Sequence, residues 1–402
     1  MDGRIRATIE LLPLSVTQLT AVRDSLSPEL HEALFTTNLG RSVDYDTLYK
    51  AFSFTLSQKD TTERTFMMGM LLNGIMAKGA TLEEVSALLD AAFHVDRFNP
   101  TTRPKFPSKQ KTITVAGSGK KGQKTVNISS LASVVAACHG GITILKLCSP
   151  STSSVTGSQD FFTILGGKVQ ESSEQIMKNT LETNLGFFPV EDVLPKFASM
   201  YSGWYFAPHA MSFALAGMAC RYKTDYLFYG LAHPNVSLSV NTFRHYGYPQ
   251  ALVASSTQDG THYIDEIISQ CGVSMQGYRS LKNHSPRKSY FYVDNEVQPI
   301  TTEPIQKIIG QLPDQDKNII KGLSALCGNA PLAQQVAINT ATIFVAAEMY
   351  GTFTEAYEKA QSIINSGAPI KKLRELIRVS GGDTKVLDDF LHNAKEYAIN
   401  NK

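Results

Sequence analysis

The sequence predicts a mixed architecture: a small all-helical domain, then a larger α/β domain whose central, mostly parallel sheet is flanked by helices. Three observations predict it. Residues 1–95 carry helical patterning, residues 96–111 form a polar linker, and from 112 short apolar strands alternate with glycine loops and helices.

The helical part begins with SLSPELHEALF, where a serine and a proline mark a helix start, and continues through VDYDTLYKAFSFTL. TTERTFMMGMLLNGIMAKG is apolar around most of its circumference, as a helix central to a bundle must be. TLEEVSALLDAAF opens on Thr81 with Glu84 three residues on, a capping box, and Gly79 stops the helix before it. The linker DRFNPTTRPKFPSKQK has three prolines and five cationic side chains, which suits a crossing between domains. Strand KTITVAG, a glycine loop, helix SLASVVAACHG and strand GITILKL then follow, the order of a parallel α/β unit. Small residues on that helix (Ala132, Ser133, Ala136 and Ala137) let it lie close to a sheet. Residues 171–199 return to helical patterning, interrupted by LGFFPVED; DYLFYGLAHP and YPQALVASS read as further strands. From Pro304 the chain is again helical, through KIIGQL, LAQQVAINTATIFVAAEMYG, TFTEAYEKAQSIINSG and PIKKLRELIRVSG.

Composition narrows the function. A hydrophobic fraction of 43% supports a sizeable core, and a net charge of +2 argues against a nucleic-acid partner, which needs a concentrated basic face. A small anionic ligand stays open. The five cysteines, Cys138, Cys148, Cys220, Cys271 and Cys327, are odd in number and form no C-x-x-C pair, so reduced thiols in a cytoplasmic protein are expected. MDGRIRATIELL is no secretory signal, and no window offers the roughly 20 apolar residues of a membrane span.

The stretch TVAGSGKKGQKTVNISS is the most informative. Gly117, Gly119 and Gly122, with Ser118 between, free the backbone to turn N–H groups toward an anion, and the following helix adds its positive end. Lys120, Lys121 and Lys124 bring charge, while Thr125, Asn127, Ser129 and Ser130 can reach sugar, phosphate or a metal-bound water. No Ser or Thr follows the G-K step, so this is not a P-loop, and no acid stands where a dinucleotide fingerprint needs one. A second loop, KLCSPSTSSVTGSQD, delivers Lys146 into a run of hydroxyls. Two such loops at successive strand ends suit a ligand site at the carboxyl edge of a parallel sheet. The adjacent Asp265 and Glu266 form a pair able to hold Mg²⁺.

Together these residues resemble the anthranilate phosphoribosyltransferase family and its structural relatives, the pyrimidine nucleoside phosphorylases. The family's G-T-G-G-D-G-x-x-T-F-N-I-S-T is matched by Gly117-Ser-Gly-Lys-Lys-Gly122 and Thr125-Val-Asn-Ile-Ser-Ser130. Its K-H-G-N-R-x-x-S-S-x-x-G-S is matched by Lys146-Leu-Cys-Ser-Pro150, Ser153-Ser154 and Gly157-Ser158, and its D-E pair by Asp265-Glu266. Phe206-Ala-Pro-His-Ala-Met211 echoes its F-A-P-x-x-H-x-A-M in shortened form, and LGFFPVEDVLPKF fits the approach to that motif. The likeness runs from about Tyr45 to Leu376.

The resemblance implies a helical domain completed by helices from about 170–200, a domain at 112–402, and a site at the hinge. It implies phosphoribosyl pyrophosphate as donor, held by the glycine loop and by Lys146, Ser153, Ser154 and Ser158. Ser129 would lie near one Mg²⁺ and Asp265 with Glu266 would hold another. Pyrophosphate would leave the ribose anomeric carbon through an oxocarbenium-like state, and the default assembly would be a homodimer.

Departures gather at the acceptor end. The family's H-G-N-R has become Leu147-Cys148-Ser149-Pro150, and the place of the carboxylate-binding arginine falls to Met218 or Arg221, depending on alignment. The expected acceptor is therefore a small aromatic or heteroaromatic molecule other than anthranilate, with His209 as a candidate acceptor contact or base. A nucleoside phosphorylase and a non-catalytic ligand-binding relative are the alternatives.

Overall fold

Side-chain caps decide where the N-terminal helices begin. The computed structural model describes residues 27–151, 154–169, 172–201, 205–279 and 303–400. Ser27, Asp44, Asp60 and Thr81 each accept a backbone N–H at the first turn of α1 (Pro28–Asn38), α2 (Tyr45–Ser57), α3 (Thr61–Lys78) and α4 (Leu82–Val95). The Thr81–Glu84 capping box is present, and Gly79 ends α3 with φ +92°. Glu84 is also buried, reaching Val43 N–H at 3.0 Å and Lys78 at 2.6 Å, so one carboxylate ties three segments together.

The linker does not hang free. Arg103 is buried and donates to the carbonyls of Pro100, Met218 and Cys220, while Phe106 enters the core. The chain then runs through β1 (Lys111–Gly117), α5 (Ile128–Ala137), β2 (Ile142–Cys148), α6 (Ser158–Ile164), α7 (Ser173–Thr183) and β3 (Leu185–Pro189). After α8 (Pro195–Tyr201) and a short α9 (Leu215–Met218) come β4 (Tyr226–Gly230), α10 (Val236–His245), β5 (Gln250–Thr257), β6 (Tyr263–Ile264) and β7 (Gly272–Arg279). The tail is helical: α11 (Ile305–Ile309), α12 (Gln315–Ser324), α13 (Ala330–Ala346), α14 (Phe353–Asn365), α15 (Ala368–Val379) and α16 (Thr384–Asn400).

The sheet order is β3-β2-β1-β4-β5-β6, with β7 also pairing β5. The pairs among β3, β2, β1, β4 and β5 are parallel; β6 and β7 are antiparallel to β5. Strand β3 is a correction. LGFFP, read as a break between helices, is a fully buried strand beside β2; its continuous apolar run suits a parallel strand covered on both faces.

Alternation along the strands sorts the core in two. Ile113, Val115, Ile142, Ile144 and Phe228 join α5 and the tail helices on one face. Leu145, Leu147, Leu227 and Tyr229 pack on the other with Phe52, Leu71 and Leu88 of the N-terminal helices. Each such fully buried Leu or Ile contributes about 1.5–3 kcal/mol, so the helices and the sheet hold each other. None of the five cysteines is in a disulfide. Among the described residues no helix is long and apolar enough to cross a membrane.

Candidate active site

Loops leaving β1, β2 and β3 and the corner after β6 enclose a cavity of about 250 Å³ at the carboxyl edge of the parallel strands. The β1 loop leads into α5, which no side chain caps. Asn127, at the capping position, instead donates to the carbonyls of Thr156 (3.3 Å) and Gly157 (3.1 Å) and accepts from Thr156 Oγ1 at 2.8 Å. It thereby staples the two anion loops together and leaves the positive end of α5 without a side-chain cap.

Two successive residues of the first loop, Gly119 (φ +63°) and Lys120 (φ +54°), are left-handed. For lysine that conformation is strained. It sends adjacent ammonium groups in opposite directions. Lys120 turns over the rings of Tyr201 (5.3 Å) and Tyr205 (5.8 Å) and donates to the Tyr205 carbonyl at 2.5 Å. Burial brings it down to about 8. Lys121 turns inward, 3.1 Å from Asp265 Oδ1, bonded to Glu266 Oε1, and 2.7 Å from Thr125 Oγ1. Burial alone would lower Lys121, but the two carboxylates hold it above its ordinary value.

The second loop is shaped by Asp160, whose Oδ2 accepts the N–H of Ser151 and of Gly157, both at 2.8 Å. A Cβ on Gly157 would overlap the Ser149 carbonyl. Lys146 reaches the cavity from β2. It is 2% exposed, and among the described residues its ammonium makes no hydrogen bond or ion pair. Burial lowers it to about 8, against the pull of Asp265.

Asp265 and Glu266 come in under the first loop because glycines make room. A Cβ at Gly117 or Gly230 would collide with Asp265. Asp265 Oδ2 accepts the Gly119 N–H at 2.9 Å, and Glu266 Oε2 accepts from Thr125 at 3.1 Å. Lys121 keeps Asp265 below the usual carboxylate range despite burial, whereas burial raises Glu266.

At the far end Leu194, Phe197, Tyr201, Leu215 and Tyr229 form an apolar and aromatic wall. Glu191 also lines it. Its Oε2 is buried and accepts no hydrogen bond among the described residues, and burial holds the carboxyl above its ordinary value. Four lysines line the cavity (Lys120, Lys121, Lys124 and Lys146) and no described arginine does.

The structure therefore gathers Gly117, Ser118, Gly119, Lys120, Lys121, Thr125, Asn127, Ser129, Lys146, Ser149, Ser154, Ser158, Asp265 and Glu266 around one space. Gly122 is exposed and turns against His262, and Ser130 is fully buried with no partner for its hydroxyl among the described residues. Ser153 lies outside the described residues. The expected acceptor contacts fare differently. Met218 is in the core, and Arg221 is exposed, donating to the Asp192 carbonyl at 2.9 Å, so neither lines the cavity. His209 stands behind the wall, its Nε2 bonded to the Tyr201 hydroxyl, and burial lowers it to about 3. Phe206, at the head of that segment, is 74% exposed. Thr156, Glu191 and Tyr201 were not singled out from the sequence. Glu191 follows the continuous apolar run of β3, and Tyr201 reaches the site through packing.

Residues 109–201 match the family described as glycosyl transferase family, a/b domain. An anthranilate phosphoribosyltransferase of Caldicellulosiruptor saccharolyticus is 25% identical over 355 residues, 86% of this chain and 97% of the relative. One of Haemophilus influenzae is 24% identical over 348 residues, covering 82% and 96%. The fold is shared with the anthranilate phosphoribosyltransferase of Thermus thermophilus (TM-score 0.61, 18% identity, 87% and 99% covered). It is shared too with that of Saccharomyces cerevisiae, solved in complex with PRPP and Mg (TM-score 0.64, 16% identity, 89% and 99% covered).

Proposed function

The chain belongs to the anthranilate phosphoribosyltransferase family of pentosyltransferases, and on that premise we propose that it transfers phosphoribose from phosphoribosyl pyrophosphate to an aromatic or heteroaromatic acceptor other than anthranilate. The observation that carries the donor half is Lys146: a buried ammonium without a partner among the described residues, aimed into a cavity beside the uncapped start of α5. A buried charge left unpaired costs several kcal/mol, so an anion there has much to gain. Lys146, the α5 N-terminus and the loop amides would hold the phosphates, and the Asn127–Thr156 staple would fix the distance between the loops.

Mg²⁺, when bound, would neutralise charge on the leaving pyrophosphate. The Ser129 hydroxyl lines the cavity and suits a hard ion that arrives on the donor's own oxygens. At Asp265 and Glu266 the fit is poor, since an ammonium already stands between them.

The acceptor half rests on Glu191. An anthranilate carboxylate placed against this wall would meet another carboxyl and no arginine, forfeiting a charge-assisted contact of about 1.5–3 kcal/mol. A ring presenting N–H groups suits the Glu191 carboxyl lining this wall better than a carboxylate does. Mass spectrometry of reactions between the donor and a panel of aromatic amines, amidines and carboxylates tests both halves. Expected are ribosylated N–H-rich rings and pyrophosphate release, with anthranilate slower by about 10- to 100-fold. Anthranilate turned over as well as the best amine would reject the acceptor reading.

We also infer a homodimer, on the exposed Phe35 and Leu39 of α1 and Phe66 and Met70 of α3. Light scattering at twice the chain mass is the expected result.

A further inference from the structure

We propose that Lys121 is a built-in cation that replaces a divalent metal ion between Asp265 and Glu266. Two carboxylates sit here side by side, 7% and 1% exposed, and a buried pair of like charges demands a cation. The chain supplies one covalently. The ammonium touches an oxygen of each carboxylate and the Thr125 hydroxyl. The remaining oxygen of Asp265 is taken by the Gly119 N–H, and that of Glu266 by Thr125. Three of the four carboxylate oxygens are thus hydrogen-bonded, and the fourth, Asp265 Oδ1, which accepts no hydrogen bond among the described residues, faces the ammonium at 3.1 Å, so a metal with its shell of waters would have to displace Lys121.

Backbone geometry supports delivery of this group to this place. The two left-handed residues ahead of Lys121 turn it inward, and the strain at Lys120 persists because its own side chain is held by two tyrosines and a carbonyl. Further positive charge on Lys124 and Lys146 disfavours a divalent ion at the same spot. A tethered ammonium brings one positive charge where a metal brings two, and does so at any metal concentration. Any Mg²⁺ used in turnover would then enter with the donor, at the Ser129 side. That last clause rests on the donor reading above, whereas the occupancy of the carboxylate pair does not.

Mn²⁺ is the probe, titrated into the full chain without donor and followed by electron paramagnetic resonance. Wild type and Glu266→Gln are expected to give superimposable isotherms, because no ion sits at the pair. Lys121→Met is expected to gain a Mn²⁺ site that Lys121→Met/Glu266→Gln weakens by about 10- to 100-fold. If Lys121→Met folds only when Mn²⁺ is present, that too supports the exchange of one cation for the other. The proposal is overturned if Glu266→Gln weakens Mn²⁺ binding to the wild-type chain by that factor, or if folded Lys121→Met gains no site. Should Lys121→Met not fold with or without Mn²⁺, the comparison of wild type with Glu266→Gln decides alone. None of these readings needs the donor to bind, so a failure of the donor assignment would show separately, as an absence of phosphoribosyl pyrophosphate binding in the same samples.

Discussion

Lys146→Gln is expected to lower kcat/KM for phosphoribosyl pyrophosphate by about 100-fold, the equivalent of one strong charge-assisted phosphate contact. The side chain sits on a central strand, paired in register with Val115 on one side and Phe187 on the other, so it has little freedom to be replaced by a neighbour. Its pH signature is equally specific. Burial brings Lys146, like Lys120, to about 8, and phosphate binding needs the ammonium form. Donor affinity is therefore expected to fall as pH rises through about 8. The donor's phosphates complete their ionisation near pH 6, so they do not contribute to that fall. Stability moves the other way. With a folded value below the ordinary 10.5, the unfolded chain binds more protons between about 8 and 10.5, and the unliganded protein gains stability across that window. Lys146→Gln is expected to lose donor binding without losing stability, and to flatten part of the stability rise. Calorimetric titration across pH 7–9 and denaturant unfolding of the same samples check both signs.

Lys121→Met is expected to have the larger effect on folding. Removing the ammonium leaves Asp265 and Glu266 buried without their cation, and breaking a buried pair in this way costs about 3–5 kcal/mol. The loss is expected to shrink on replacing the carboxylates as well, in Lys121→Met/Asp265→Asn/Glu266→Gln. In the wild type Asp265 lies below the ordinary carboxylate value, so its contribution is present above the unfolded value and disappears as pH falls through the folded one. Without Lys121 both carboxylates shift upward, and the variant is expected to recover stability as the pH is lowered. Urea unfolding at pH 5 and pH 7.5 measures it. Equal loss at the two pH values would show that the missing contact is packing and not charge.

The donor half of the site was legible because its chemistry is local. The run from β1 through the glycine loop and α5 to β2 is contiguous, and its glycines, hydroxyls and lysines sit at the turn positions where each does its work. What the sequence could not say is which way adjacent lysines point. Lys120 and Lys121 read as one doubly basic corner, yet their partners are a tyrosine pair and a carboxylate pair from distant segments. The acceptor end was obscured by β3. Its continuous apolar run, bounded by Asn184 in the left-handed conformation and by Pro189, lies between helical stretches and shows no alternation to betray it. Glu191 lies just past that strand, whereas the resemblance singles out Phe206–Met211, whose letters match a motif but whose Phe206 is exposed and whose His209 stands behind the cavity wall.

The most direct test of the donor site is calorimetric titration of the full chain with phosphoribosyl pyrophosphate at pH 7 in Mg²⁺, wild type beside Lys146→Gln. One saturable site per chain is expected in the wild type, weakened by about 100-fold in the variant. No binding to the wild type, or equal affinity in the two proteins, would contradict it.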